Sequence, residues 1–201
     1  MKLVIMTTST FFVEEDKILA TLFDEGMDDL HLYKPGSSPI YSERLLSLLP
    51  DNCYNKITVH DHFYLKEEYG LAGIHLDTPE AQPPLGYRGK PGRTSDTLSG
   101  LRELKKASRQ VFLRNVLSAP QDGIEASFTM NELEKAAHDG LIDKNVYAWG
   151  GISADNIRTM RELGFGGVVV CEDLWKRFEI HSQTDYKELL SHFARLRKAV
   201  G

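Results

Sequence analysis

Three carboxylates in this sequence stand where they could hold a hard cation. Asp61 directly follows a β-prone run, Lys56-Ile57-Thr58-Val59, while Asp77 and Glu80 follow the next run, Gly73-Ile74-His75-Leu76. Carboxylates at the ends of adjacent strands can share a Mg2+, which prefers oxygen ligands and bridges readily to phosphates. Lys34, Arg93 and Arg114 sit at the ends of other β-prone runs, and cations so placed can neutralise a diphosphate. Taken singly, each of these groups also has an ordinary reading as a helix cap, a loop acid or a rim charge. The pair Gly150-Gly151 ends the apolar run Val146-Tyr147-Ala148-Trp149 and precedes Ser153, which the pattern makes the N-cap of a helix from Ala154 to Leu163. Paired glycines let backbone N–H groups approach a ligand with no Cβ in the way, and helix N-termini attract anions. The pair reads either as a phosphate cradle or as a plain tight turn. His60-Asp61-His62 brings zinc to mind, but in an extended segment His60 and His62 share one side and Asp61 points to the other. No third ligand stands at a matching spacing, so zinc is not expected.

These groups are useful only if the fold gathers them. Short apolar runs predict strands at Leu3–Met6, Asp29–Tyr33, Lys56–Val59, Gly73–Leu76, Gly92–Thr94, Val111–Leu113, Val146–Trp149 and, within Gly164–Val170, an eighth. Helical spacing predicts helices at Glu14–Phe23, ended by Gly26, at Tyr41–Leu49, stopped by Pro50, and as a stub at Phe63–Tyr69. Further helices are predicted at Thr97–Lys106, Phe128–Leu141, Ala154–Leu163 and, with an amphipathic face, Thr184–Val200. Asp77–Pro91 and Arg114–Ser127 read as irregular loops. Strands alternating with helices imply parallel βαβ units, and eight of them point to an α/β fold: a (β/α)8 TIM barrel built as a single domain over residues 1–201. An open doubly wound sheet is the competing arrangement. The chain has 201 residues, short for a barrel that typically takes about 250, so some helices must be stubs.

In a barrel the strand C-termini converge on one face, and phosphate is often held after strands 7 and 8. Residues far apart in sequence then become neighbours: Thr8 and Ser9, His31 to Lys34, His60 to His62, His75 to Glu80, Arg93 to Ser95, Arg114 and Asn115, Gly150 and Gly151, and Cys171 to Asp173. His31 and His60 are candidates for acid–base work, because an unperturbed histidine titrates close to neutral pH. The net charge of −5 and a sequence pI near 5.8 argue against a nucleic-acid partner and against an anionic membrane surface. Cys53 and Cys171 lack any metal-ligand spacing and read as free buried thiols. No long apolar run or signal-peptide pattern occurs, so a soluble cytoplasmic protein is expected. A homodimer is compatible with these features, though the sequence does not fix the oligomeric state.

Five stretches resemble thiamine phosphate synthase and its relative, the TenI-type thiazole tautomerase. Leu30-His31-Leu32-Tyr33-Lys34-Pro35 lies where the synthases have a Gln-x-Arg-x-Lys strand end, and Val59-His60-Asp61 where they have Val-Asn-Asp. Gly73-Ile74-His75-Leu76 with Glu80 is similar to their Gly-Ile-His-Leu-x-x-x-Asp. Val146–Ser153 and Gly164–Val170 are similar to the closing Gly-Gly-Ile and Gly-Ala-Asp-Gly-Val strands. The resemblance implies a (β/α)8 barrel that joins hydroxymethylpyrimidine diphosphate to thiazole phosphate and releases pyrophosphate, with Mg2+ as cofactor and phosphorylated small molecules as substrates. It implies Asp61 and Glu80 as metal ligands and Ser95 as a diphosphate contact. Gly150 and Gly151 would hold the thiazole phosphate. The chain departs from the pattern at Tyr33, which occupies the family's arginine position and, with His60, would line the substrate pocket. Lys34 stands one place out of register. The loop after strand six, Arg114 to Asp122, lacks the family's lysine, a cation that Arg114 is positioned to replace.

Overall fold

In the computed structural model, which describes residues 1–178 and 186–201, eight parallel strands close into a barrel. The strands are β1 (Lys2–Met6), β2 (Leu30–Leu32), β3 (Ile57–Val59), β4 (Gly73–Leu76), β5 (Gly92–Ser95), β6 (Val111–Leu113), β7 (Val146–Trp149) and β8 (Gly167–Val170). Closure is made by β8 against β1, with Lys2 opposite Gly167 and Ile5 opposite Val170. The open-sheet alternative is thereby excluded. The helices are α1 (Glu15–Asp24), α2 (Pro39–Leu48), α3 (Leu65–Tyr69), α4 (Leu101–Ala107), α5 (Met130–His138), α6 (Ile157–Glu162), α7 (Glu172–Trp175) and α8 (Lys187–Val200). Stub helices are indeed how the barrel fits this length: α3 has 5 residues and α6 has 6. Among the described residues no helix is long and apolar enough to cross a membrane.

Period-2 alternation sorts the strand residues into two cores. Outward positions such as Leu3, Ile5, Leu30, Leu32, Ile57 and Val168 pack against the helices' apolar faces. Inward positions fill the barrel: Val4, Met6, Phe112 and Val169 form a second cluster, on which Tyr33, Tyr147 and Trp149 pack. The imidazoles of His31 and His75 lie against Phe112, at centroid distances of 4.8 and 4.4 Å. Two inward glycines make room for these rings. A Cβ on Gly167 would lie 2.6 Å from the Tyr147 ring, and one on Gly92 would overlap the His75 imidazole. Small and large side chains thus alternate between neighbouring strands, as close packing requires.

Several helix boundaries differ from the sequence reading, for local reasons. The α5 helix opens at Thr129, whose side chain accepts from Glu132 N while Glu132 accepts from Thr129 N, a capping box that overrides a start at Phe128. Ser153 does not cap α6. The chain makes an extra turn first, and Asn156 takes the N-cap position. The start of the closing helix at Thr184 lies outside the described residues, and α8 is seen from Lys187. Unforeseen was α7, whose Trp175 is buried and donates from Nε1 to Met6 O at 2.7 Å, docking it on the end of β1.

A buried ion pair and a half-buried carboxylate are the costly charges in this frame. Lys34, one residue past Tyr33, falls on the opposite side of the strand direction, toward α1. Its ammonium bonds Glu15 Oε1 at 2.6 Å and Thr10 O at 2.8 Å beneath the Phe11 ring. Removing one partner of such a pair leaves a buried charge, whereas replacing both is often neutral. Lys34→Met should therefore cost roughly 3 kcal/mol or more in chemical denaturation, and Lys34→Met with Glu15→Leu should recover most of that loss. At the other end of the barrel, burial pushes the Asp29 carboxyl up to about 6, partly offset by Arg109. The folded state then holds a proton that the unfolded chain releases near pH 4, so stability falls as pH rises from about 4 to about 6. Asp29→Asn removes this effect. Its stability relative to the parent should grow through that interval, by up to about 3 kcal/mol above pH 6, as read from unfolding curves against pH.

Candidate active site

The strand C-termini gather most of the residues singled out from the sequence, but in different roles. The mouth is built on the inward ends of β2, β3, β6 and β7. Tyr33 meets His60 edge-on at 5.3 Å and Trp149 at 6.2 Å, between ring centroids. Arg114 lies over the Trp149 ring, 5.7 Å from its centroid, and forms a two-pronged bond to Asp96 at 2.7 and 2.9 Å. That bond holds the Asp96 carboxyl below the usual carboxylate range and keeps the guanidinium charged. Burial, then the negative charge of Asp77, raises the Tyr33 hydroxyl pKa, which Arg114 opposes and Asp61 reinforces. Tyr33, Asp61, Asp77 and Arg114 therefore share one electrostatic neighbourhood.

Beneath the mouth lie three buried imidazoles. His60 Nδ1 bonds Asp77 Oδ1 at 2.6 Å, His60 Nε2 bonds His31 Nδ1 at 2.8 Å, and His75 Nε2 bonds Thr94 Oγ1 at 2.9 Å. Burial pushes the pKa of His31 and of His75 well below the ordinary value, and the neighbouring His60 adds to it. Both are neutral rings. Among the described residues these three are the one set of three or more His, Cys, Asp or Glu whose donor atoms converge. They suit a transition metal poorly. His60 and His75 stack at 4.4 Å with planes 18° apart, so their in-plane lone pairs run side by side rather than meet at one ion.

Asp61 is better placed for a cation. The chain bends after it: His62 takes a left-handed conformation (φ 50°) and bonds Ser37 O at 3.0 Å, so the alternation expected over His60-Asp61-His62 breaks at His62. Asp61 Oδ2 is buried and has no hydrogen-bond partner. An unpaired buried carboxylate oxygen costs several kcal/mol unless something positive meets it. Asp77 stands on the adjacent strand end with one oxygen held by His60, and its side chain is 29% exposed. Glu80 lies exposed in the loop beyond.

Other candidates are committed to the scaffold. Lys34 is the buried partner of Glu15. Arg93 donates to Pro79 O and Ala81 O, at 3.0 and 2.7 Å, and so pins the loop after β4. Ser95 bonds the backbone of Thr97 and closes its own turn. His31 is fully buried and reaches the mouth only through His60. Gly150 and Gly151 both have positive φ, at 97° and 68°. A Cβ on Gly150 would lie 2.7 Å from Asn115 Cα, and one on Gly151 would strike the Leu117 carbonyl. The pair thus admits the β6 loop. The adjoining turn is tied by Asn156, which accepts from Ser153 N and donates to Gly151 O. A cavity of about 140 Å³ remains beside Gly151, also lined by Ser153, Asp122, Glu172, Asp173 and Lys176. Burial pushes the Asp173 carboxyl up, but bonds from His192 and Lys176 outweigh it and leave it below its ordinary value. A larger hollow of about 500 Å³ lies at the opposite end of the barrel, by Met1 and Met27, on the face that serves stability in barrels of this kind.

Sequence reasoning missed Trp149, Asp96, Asn156 and Lys176. The first had a signal, since period 2 from Tyr147 places Trp149 inward at the mouth. Asp96 and Lys176 gave none, because only the fold brings them near Arg114 and Gly151.

No protein-family model matches the chain, and neither does any curated protein. Solved structures do. Thiamine phosphate pyrophosphorylase from Bacteroides thetaiotaomicron is 41% identical, covers 99% of this chain and 97% of its own, and superposes with a TM-score of 0.89. Thiamine phosphate pyrophosphorylase from Pyrococcus furiosus is 17% identical, with coverage of 99% and 95% and a TM-score of 0.74. A 3-hexulose-6-phosphate synthase at 14% identity, full coverage of both chains and a TM-score of 0.64 shares the fold. The likeness to the Bacteroides protein extends over the whole barrel, and the chain belongs to the thiamine phosphate pyrophosphorylase family.

Proposed function

We propose that the chain is a transferase that joins hydroxymethylpyrimidine diphosphate to thiazole phosphate and releases pyrophosphate. The observation that carries this reading is Asp61: a buried carboxylate oxygen without a partner, at the mouth of a barrel 41% identical to a thiamine phosphate pyrophosphorylase. Its oxygen suits Mg2+, with Asp77 or Glu80 as the second acid. Mg2+ needs only one or two carboxylates when phosphates and water complete its shell. When bound, the ion would neutralise charge on the departing diphosphate.

The chain's own groups supply the rest. Arg114, braced by Asp96 and Trp149, presents a guanidinium that remains charged and can meet the diphosphate in two prongs. Tyr33 lines the mouth and its hydroxyl can orient the pyrimidine, while His60, whose ring nitrogens are both held by protein partners, supports the Tyr33 ring edge-on from below. Backbone around Gly150 and Gly151 seats the thiazole phosphate, with Lys176 as the nearby cation. Lys34, Arg93, Ser95 and His31 act from behind, by fixing the loops and rings on which these groups ride. Stabilising charge at the leaving group with preorganised donors is the main source of rate in such a site.

One observation favours a second reading. Each strand-end cation has a protein partner: Lys34 has Glu15, Arg93 has two carbonyls and Arg114 has Asp96. The cavity by Gly151 also carries three acids. That balance suits a protein that binds a phosphorylated metabolite without turnover, or a thiazole tautomerase.

Steady-state release of pyrophosphate from the two phosphorylated substrates with Mg2+ separates these readings. The transferase reading expects turnover that needs Mg2+. It expects Asp61→Asn to lower kcat/KM by at least 100-fold and Arg114→Met by roughly 10- to 100-fold, the loss of one charged hydrogen-bonding group. No product at high enzyme concentration, with binding still seen by calorimetry, would leave the second reading.

A further inference from the structure

We infer that Asp96 is a positioning residue that also sets specificity: by pairing with Arg114 it leaves a ligand one edge of the guanidinium and cancels its charge, so that a diphosphate is held only together with its cation. This rests on the reading above in one respect, that Arg114 meets the diphosphate. The pair is built by the sheet. Leu113 of β6 stands in register with Ser95 of β5 and with Ala148 of β7, so the residues that follow, Arg114, Asp96 and Trp149, come level at the mouth. Arg114 N also donates to Ser95 O at 3.0 Å. Asp96 accepts from Nε and Nη2 at 2.7 and 2.9 Å, and the Trp149 ring lies against one guanidinium face. No other hydrogen bond to this guanidinium occurs among the described residues. Left over are both hydrogens of Nη1 and the second on Nη2. They form one edge, which a phosphate can meet with two oxygens.

Stability gives little reason for the pair. The side chains are 31% exposed for Arg114 and 51% for Asp96, and exposed ion pairs contribute little to folding. The effect on an incoming anion is larger. Lys34 and Arg93 are committed to Glu15 and to the loop after β4. The charges of Asp61 and Asp77 reach Tyr33 beside Arg114. With Arg114 balanced by Asp96, a bare diphosphate meets no net positive charge at this level of the barrel. A like charge held on the far side of one guanidinium opposes the anion by on the order of tenfold in affinity at a protein surface. A divalent ion on the neighbouring acids reverses the balance. Arg114 then contributes direction, because its paired edge cannot turn to the ligand.

The test is calorimetric titration of inorganic pyrophosphate, with and without Mg2+, alongside steady-state turnover of the two phosphorylated substrates. The proteins compared are the parent, Asp96→Ala, Asp96→Asn, Arg114→Met and the double variant Asp96→Ala with Arg114→Met. In Asp96→Ala we expect metal-free pyrophosphate to bind about 10-fold tighter. We expect kcat to fall about 10-fold in the same variant, because the freed guanidinium no longer holds one direction. Asp96→Asn, which can still accept from Arg114, should show the tighter metal-free binding and keep most of kcat. Misfolding would weaken both quantities together, so their opposite movement identifies the role. Once Arg114 is methionine, Asp96→Ala should change neither. Equal losses of binding and turnover in Asp96→Ala, unchanged metal-free affinity in both Asp96 variants, or effects that persist without Arg114 would each overturn the inference; the transferase reading then stands wherever the parent turns over with Mg2+. If the parent binds pyrophosphate without turnover, the transferase reading falls and the metal-free affinities alone decide the role of Asp96. If the parent does not bind pyrophosphate even with Mg2+, both fall.

Discussion

A polar group inside a closed barrel has no water to turn to, and that constraint shapes the functional end of this molecule. Net stability of a domain is only about 5–15 kcal/mol, and each unpaired buried polar group costs about 1–3 kcal/mol. Three imidazoles within the barrel would therefore be ruinous unless they bonded one another or their surroundings. They do: His31 to His60, His60 to Asp77, His75 to Thr94. The few atoms left without partners, among them Asp61 Oδ2 and His31 Nε2, stand out against that background. The first belongs to Asp61, whose charge is felt by Tyr33 at the mouth.

The same constraint explains where the cations went. A lysine or arginine near a strand end is drawn to whichever acceptor lies closest, and in this chain those acceptors belong to the protein. Lys34 pairs with Glu15 and Arg93 holds two carbonyls of the loop after β4. Arg114 alone keeps a place beside Tyr33 and Asp77, and it is steadied by Asp96 and the Trp149 face. The mouth is thus rich in carboxylates and poor in free positive charge. On the proposed reading a divalent ion would offset that balance, since a diphosphate would otherwise meet acids across a gap of low dielectric.

Much of the fold was legible because its signals are local. β4 and β6 fall where apolar runs bounded by polar residues place them, and eight alternations leave few arrangements but a barrel. The weak fifth strand formed as well, since Gly92 is required by the bulk of His75 rather than by strand propensity. Helix starts were less legible. Caps depend on side chains such as Asn156 that act on backbone three to five residues away. The site was legible by residue type but not by orientation. Parity in β2 already separates Lys34 from Tyr33, so its burial against α1 was open to inference. The break at His62 was not, since nothing in the sequence marks a left-handed histidine. Gly150 and Gly151 show the limit most clearly: one pair of glycines serves a close approach by the β6 loop, and spacing alone cannot tell that from a cradle for phosphate.

The central claim is that Asp61, at the C-terminal mouth of the barrel, is the anchor of a metal–phosphate site. The most direct measurement is a crystal structure of the protein soaked with Mg2+ and pyrophosphate. The account expects an ion on the buried Asp61 oxygen, with pyrophosphate between it and Arg114 and with Asp77 still held by His60. An Asp61 oxygen left bare at saturating concentrations, or pyrophosphate bound only at the opposite end of the barrel near Met1 and Met27, would contradict it.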